Sequence, residues 1–291
     1  MSLRNFCSFS LIDSGEITLP IDTDKASKFL VFLREQGYSK FSIKLGLVAL
    51  KWANSFFPRA DSLNEPFLDR IIASANRNII SCKNQKAPLS KSMIDSFLDL
   101  KANASLSEIR NSLLPALSFS LLLRNDELRH LSCAHIEKRE EGMIFRIVSS
   151  KTDVFRKGKN LYLADTKGPK SLVSLLFKYM SLGEIPLGSN NFLFGEIRRK
   201  PTSGKEYVDS TAQLSYNQCL SIIKSKVTSL GLNSNLYGTH SARSGGASTL
   251  ATRVTPFELM LSGRWADARS LRNYVEVSDK RRFQISENLL N

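Results

Sequence analysis

Cysteines, acidic residues and long apolar runs are all in short supply in this 291-residue chain, and each shortage removes a class of explanation. Four cysteines (Cys7, Cys82, Cys133 and Cys219) lie far apart with no C-x-x-C pair. That spacing fits reduced thiols in an intracellular protein, not a disulfide framework or a zinc site. Cys133 and His135 form an isolated C-x-H without a second pair of ligands, and read as packing or surface residues. No apolar run approaches the roughly 18–20 residues that span a bilayer, so no membrane partner is expected. The first twenty residues lack a clean apolar core with a small-residue cleavage site, so a secretory leader is not expected either. Acidic side chains number 27 against 41 Lys and Arg, a net charge of +14. An excess of that size points to a polyanionic partner. Residues 1–88 hold 12 basic against 8 acidic residues, and 89–291 hold 29 against 19, so both halves are basic.

The 42% hydrophobic content is that of a folded protein. After a start that reads as flexible over residues 1–20, periodicity predicts a helix over 23–36 with Ala26, Phe29, Leu30 and Leu33 on one side. A second helix is predicted over 40–57, with Leu45, Val48, Ala49, Trp52 and Phe56 as its buried stripe and Pro58 ending it. A third runs over 66–81 through Phe67, Ile71, Ala75 and Ile79. Residues 21–86 thus form a small helical module, and Ser81–Ser90, polar and basic with Pro88 inside, reads as a linker able to lie along a phosphate backbone. A second module follows, 87–291. Ser90 caps a helix carrying Met93, Ile94, Phe97 and Leu98, and Ser107–Leu123 is a strongly apolar helix. The period then changes. Met143–Val148 and Asn160–Leu163 read as two strands joined by a basic turn. Helices return at 170–182, at 215–230 with Gly231 closing it, and at 241–252, 255–262 and 267–276.

Four clusters in the second module carry possible chemistry: LLLRNDELRHL with Arg124 and Glu127; SKTD with Lys151 in the turn between strands; GTHSARSGGAS with His240 and Arg243 three apart on one helical face; and SGRWADARSLRNYVEV, where Trp265 precedes Tyr274 by nine residues. Singly, each has a dull explanation. An isolated R-x-x-E is usually a surface pair, and a tyrosine on a short amphipathic helix is usually half-buried core. Their joint order is what matters.

That order resembles the tyrosine recombinase (phage integrase) family, whose pattern is Arg, Lys, His-x-x-Arg, His or Trp, Tyr. Here it reads Arg124, Lys151, His240-Ser241-Ala242-Arg243, Trp265, Tyr274. The family's box around the first arginine is typically G-L-R-x-x-E-L; this chain has LLRNDEL, with Leu122 where the glycine stands. The spelling GRW and the small run SGGAS look like recombinases of eukaryotic mobile elements, of the DIRS and crypton kinds. The resemblance implies a mainly α fold with a small β-sheet: a helical, SAM-like core-binding domain and a mixed α/β catalytic domain that close as a C-shaped clamp on duplex DNA. It implies Tyr274 as nucleophile on a phosphodiester, Arg124 and Arg243 gripping its nonbridging oxygens, and His240 accepting the phenolic proton. Lys151 would protonate the leaving 5′ oxygen, with Lys157 and Lys159 of the same turn as alternatives. Trp265 would buttress the phosphate, and Glu127 would orient Arg124. Lys83, Lys86, Arg156, Lys157 and Lys159 are expected on the DNA backbone. No metal or cofactor is expected, because guanidiniums supply the charge a cation would otherwise bring.

The nearest alternatives are a type IB topoisomerase, which nicks and reseals one strand with a similar residue set, and a non-catalytic DNA-binding protein descended from a recombinase. Four protomers on two duplexes are expected, with a monomer or dimer in solution. Residues 277–291, a charged spacer followed by Ile285, Leu289 and Leu290, are the segment expected to dock on a neighbouring protomer, a frayed tail being the alternative. The expected location is intracellular: the nucleus in a eukaryote, otherwise the cytoplasm or nucleoid.

Overall fold

The computed structural model describes residues 2–57, 63–78, 86–148, 158–168, 170–265 and 267, together with 271, 283, 286 and 287. The chain divides into two compact units, Met1–Asn84 and Gln85–Asn291.

The first unit is a bundle of α1 (Ser2–Ser14), α2 (Thr23–Glu35), α3 (Lys40–Asn54) and α4 (Glu65–Asn78). Asp22 starts α2 by accepting the Lys25 N–H at 2.7 Å, and Ser39 starts α3 by accepting that of Ser42. The core holds Phe6, Phe9, Phe29, Leu30, Leu33, Ile43, Leu47, Leu50, Leu68 and Ile72.

Three sequence expectations need correction here. Residues 2–14, expected to be flexible, form α1, because Phe6 and Phe9 lie one turn apart and pack on Phe29. Two aromatics among serines leave little periodic signal, yet their burial anchors the helix against α2. The stripe expected to bury α3 faces outward instead: Trp52 is 57% and Phe56 63% exposed, and Leu45 and Val48 are exposed with them. Ile43, Gly46, Leu47 and Leu50 face the core. Both faces of α3 are apolar, so periodicity alone does not choose between them. Gly46 does, since a Cβ there would stand 2.9 Å from Leu33 Cδ1, the mark of a closely approaching neighbour. In α4 likewise Leu68 and Ile72 are buried while Phe67 is exposed.

The second unit begins on its own core. The Ala87 N–H donates to Leu236 O at 2.7 Å and the Leu89 N–H to Ser241 O at 2.9 Å, and Leu89 is fully buried. The end of the expected linker is therefore a structural strand of chain lying on protein. Ser90 then caps α5 (Lys91–Phe97), as expected. A capping box of Ser105 and Glu108 opens α6 (Leu106–Ser120), the central helix, which buries Ile109, Leu113, Leu114 and Leu117. After α7 (Asn125–Arg129) comes an antiparallel meander of β1 (Ile136–Lys138), β2 (Gly142–Ile147) and β3 (Lys159–Ala164), in that order. Met143, Phe145 and Ile147 of β2 and Leu161 and Leu163 of β3 alternate inward onto the core. Helix α8 (Leu172–Leu182) precedes a separate hairpin, β4 (Glu196–Arg199) with β5 (Glu206–Asp209). Then follow α9 (Tyr216–Thr228), α10 (Ser241–Leu250) and α11 (Pro256–Gly263). The sequence reading found β2 and β3 but neither β1 nor the β4–β5 hairpin. Those strands are three or four residues long and mostly charged, so they show no apolar alternation. The glycine run of α10 serves close packing: a Cβ on Gly246 would lie 2.1 Å from Phe119 O of α6, and one on Gly245 1.8 Å from Leu89 O. Most of the helix expected over 267–276 lies outside the described residues.

Candidate active site

The site starts where α6 ends. Leu122 adopts a left-handed backbone, φ +48°, and the Leu123 N–H reaches back to Ser118 O at 3.0 Å, closing the helix in Schellman fashion. For a side chain other than glycine this conformation costs about 1–2 kcal/mol. Burial of Leu122 against Ala247, Leu259 and Trp265 offsets that cost. This is the position at which the recombinase box carries glycine, and the left-handed turn gives the reason. The turn delivers Arg124 to the N-cap of α7. Its backbone N–H donates to Glu127 Oε2 at 2.8 Å and its Nη1 donates to Oε1 at 2.8 Å. The Glu127 side chain is 2% exposed. Burial pushes its pKa upward, but the charge of Arg264, the Arg124 N–H and the Arg124 guanidinium together hold it below the usual carboxylate range.

Arg264 was not singled out in the sequence, although it stands immediately before Trp265. It caps α11 in the left-handed region at φ +57° and donates Nη2 to Glu127 Oε2 at 2.6 Å and to Leu122 O at 3.0 Å. Burial lowers its pKa, yet a guanidinium, which ordinarily titrates far above neutrality, stays charged at neutral pH.

His240 occupies the N-cap of α10 and is open to the adjoining cleft. Desolvation by the protein around the ring, then the charges of Arg243 and Arg124, lower its pKa below 6.5. Neutral imidazole is therefore the resting form, able to accept a proton. Arg243, one turn on, is completely buried. It donates Nη1 to Leu122 O and Nη2 to Gly263 O at 2.5 Å, and its guanidinium lies over the Trp265 ring at 4.6 Å. The expected grip of Arg243 on a phosphate is thus not its present engagement: this side chain braces the two backbone corners behind the cleft. Trp265 is buried with it, and its ring fills the space where any Cβ on Gly263 would stand, 1.7 Å away.

The cleft itself measures about 720 Å3 and is walled by Arg124, Arg129 and Arg146 and by all three histidines of the chain, His130, His135 and His240. Tyr216, at the start of α9, completes one side and accepts from Thr239 Oγ1 at 3.3 Å. Arg129, Arg146, His130 and Tyr216 were not singled out by the sequence reading, and His135 was read as a packing or surface residue. Only the fold gathers them. The β2 strand runs out along the cleft, and Arg146, Ile147 and Val148 line it; Lys151, Arg156 and Lys157 lie outside the described residues. Tyr274 and Lys83 also lie outside them. Lys159 is exposed at the start of β3. Lys86 is exposed and donates to Asn235 O at 2.7 Å.

Neither described buried thiol competes as a nucleophile, since burial pushes both Cys133 and Cys219 up to about 11. Among the described residues no His, Cys, Asp and Glu side chains converge as a metal-binding group, and no helix is long and apolar enough to cross a membrane.

By sequence, no family model and no curated protein matches the chain. By structure, several solved proteins match nearly all of it, among them three in complex with DNA. A XerH site-specific recombinase bound to a palindromic difH substrate, in a post-cleavage complex, superposes with a TM-score of 0.68 at 16% identity, over 100% of this chain and 77% of the other. The Tn1549 transposon integrase in complex with transposon right-end DNA gives 0.63 at 15%, over 100% and 93%. A lambda integrase dimer bound to a COC′ core site gives 0.57 at 15%, over 94% and 88%. The fold is that of the tyrosine recombinases. Within a tyrosine recombinase fold, the cleft between α7, α10 and the end of β2 is the place where Arg124 and His240 meet, although they are more than a hundred residues apart in sequence, and Trp265 stands behind it against Arg243.

Proposed function

We propose that the chain is a site-specific DNA recombinase that cleaves and rejoins strands through a covalent 3′-phosphotyrosine. The observation that carries this reading is a cleft in which Arg124, Arg129 and Arg146 outnumber Asp126 and Glu127, and in which Arg124, held by Glu127, shares the wall with His240. A phosphodiester repels nucleophiles through its nonbridging oxygens, and more negative charge gathers on them in the pentavalent transition state. A guanidinium fixed in advance stabilises that charge by about 3–4 kcal/mol, on the scale of one oxyanion-hole donor. The Tyr274 oxygen attacks phosphorus and its proton passes to His240. The 5′ oxygen leaves as Lys151 gives it a proton, so one ester is exchanged for another and religation needs no external energy. Arg243 joins by exchanging one of its two carbonyl partners for a phosphate oxygen, with Trp265 behind it. Lys83, Arg156, Lys157 and Lys159 lie along the DNA backbone.

The partner is double-stranded DNA, held by both units, with four protomers on two duplexes. The GRW and SGGAS spellings support a mobile-element recombinase of the DIRS or crypton kind, which in a eukaryote would act in the nucleus and otherwise in the cytoplasm or nucleoid. The test is trapping on a nicked suicide duplex, chosen by the protein from a random DNA library. The native chain forms an adduct that survives denaturing electrophoresis, and Tyr274→Phe forms none. An adduct that persists in Tyr274→Phe removes Tyr274 from the mechanism; no adduct from the native chain removes strand cleavage.

A further inference from the structure

The cleft has a cation behind it that the phosphate chemistry just described leaves unused. Arg264 carries a side chain only 7% exposed, and it runs from the end of α11 back to the corner between α6 and α7. There Glu127 stands between two guanidiniums, with Oε1 on Arg124 and Oε2 on Arg264. Arg243 of α10 donates to the same Leu122 carbonyl that Arg264 reaches. One carboxylate shared by Arg124 and Arg264 leaves that trio with one net positive charge. Arg264 is not on the cleft wall, whereas Arg124 and Glu127 both are, so the charge that Arg264 brings from behind leaves the Arg124–Glu127 pair on the wall less negative. With Glu127 and Arg124 alone, the pair would be neutral, and a buried carboxylate at 2.8 Å would compete with any phosphate for the same guanidinium.

We infer that Arg264 is a positioning residue that occupies one oxygen of Glu127 and thereby keeps Arg124 net cationic and turned toward a phosphodiester in the cleft. The inference rests on the proposed reading in one respect, that the anion is a DNA phosphate. It is particular to this chain's Gly-Arg-Trp spelling, because the arginine sits at a left-handed φ of +57° where glycine would be the easier residue.

That backbone supplies a clean test, since Arg264→Gly removes the guanidinium without straining the turn. Single-turnover adduct formation is measured on the nicked duplex that the native protein selects, alongside binding of the intact duplex. Arg264→Gly is expected to form adduct about tenfold to hundredfold more slowly while binding DNA with nearly native affinity, as for loss of a group felt mainly in the transition state. Arg264→Lys, which keeps the charge, is expected to restore most of the rate. A native rate in Arg264→Gly overturns the inference. So does a slow Arg264→Gly that Lys fails to improve, or one whose affinity falls in step with its rate, because either result marks a scaffold role only. In all these outcomes the native chain still cleaves. Absence of cleavage by the native chain is a different result, and it takes down the proposed reaction together with this role.

Discussion

Among the described residues of the first unit one cation, Lys25, is buried among neutral oxygens, donating to Ser14 Oγ at 3.0 Å and Thr18 Oγ1 at 2.9 Å. The second unit buries Glu127, Arg243 and Arg264, which answer one another and the backbone around a single corner. Lys25 ties a loop to a helix and could be replaced by packing. The second arrangement withdraws three formal charges from water at a desolvation cost of several kcal/mol per ion. A fold keeps such a group for what the charges do next. The contrast separates a unit built for shape from one built for electrostatics.

The sharpest way to break the contrast is Glu127→Ala. It strands Arg264 and Arg124 without their counter-charge, and the expected loss is about 3–5 kcal/mol of unfolding free energy, read by urea denaturation. A loss below 1 kcal/mol would mean the cluster is held by something else. Next come two glycines, one from each unit. Gly246→Ala drives a Cβ to 2.1 Å from the Phe119 carbonyl, and backbone cannot step aside. It should cost about 1–3 kcal/mol. Gly46→Ala meets only the flexible end of Leu33 at 2.9 Å, and a gain of about 1 kcal/mol in helix propensity offsets the crowding. Thermal melts of the two variants should therefore differ clearly; equal shifts would dissolve the distinction.

Acidity sharpens the same point more gently. The folded-state pKa of His240 lies below its unfolded value near 6.5, so as pH falls the unfolded chain takes up the proton first. The stability linked to this group is complete above 6.5 and declines as pH drops from there to the folded-state pKa. Melting temperatures between about pH 5 and 8 should show that decline in the native chain and a shallower one in His240→Gln. Identical slopes would exclude His240 as the source. The smallest expected effect is Trp52→Ser on the outer face of α3, within about 0.5 kcal/mol. A loss of 3–5 kcal/mol, typical of a core tryptophan, would put the burial of α3 the wrong way round.

Much of the second unit was legible because its signals are local. Ser90 caps its helix as expected and the helix expected over 255–262 starts from Thr255 and Pro256, while the boxes of Ser105 with Glu108 and Ser215 with Gln218 are equally local signals that the sequence reading did not single out. Met143, Phe145 and Ile147 alternate because one face of β2 is buried. The cleft was legible only in part, through the ordered Arg124, His240 and Trp265 clusters. Arg129, Arg146, Tyr216 and the two remaining histidines reach it through tertiary placement that no spacing encodes. Arg264 was hidden for another reason: it breaks the usual preference for glycine at such a φ, as Leu122 also does, so composition pointed away from a left-handed turn there. In α3 an apolar residue on every face left the choice of core side to the neighbours.

The oxygen of Leu122 is a clasp made of main chain, and it receives both Arg243 and Arg264. Substituting the side chain at 122 cannot delete such an acceptor; it can only rotate the peptide that bears it. The residue type there is thereby released from the chemistry, and a leucine can stand in a glycine's place so long as the corner keeps its handedness. A backbone ester in place of the amide that follows Leu122 would weaken the clasp with every side chain left intact.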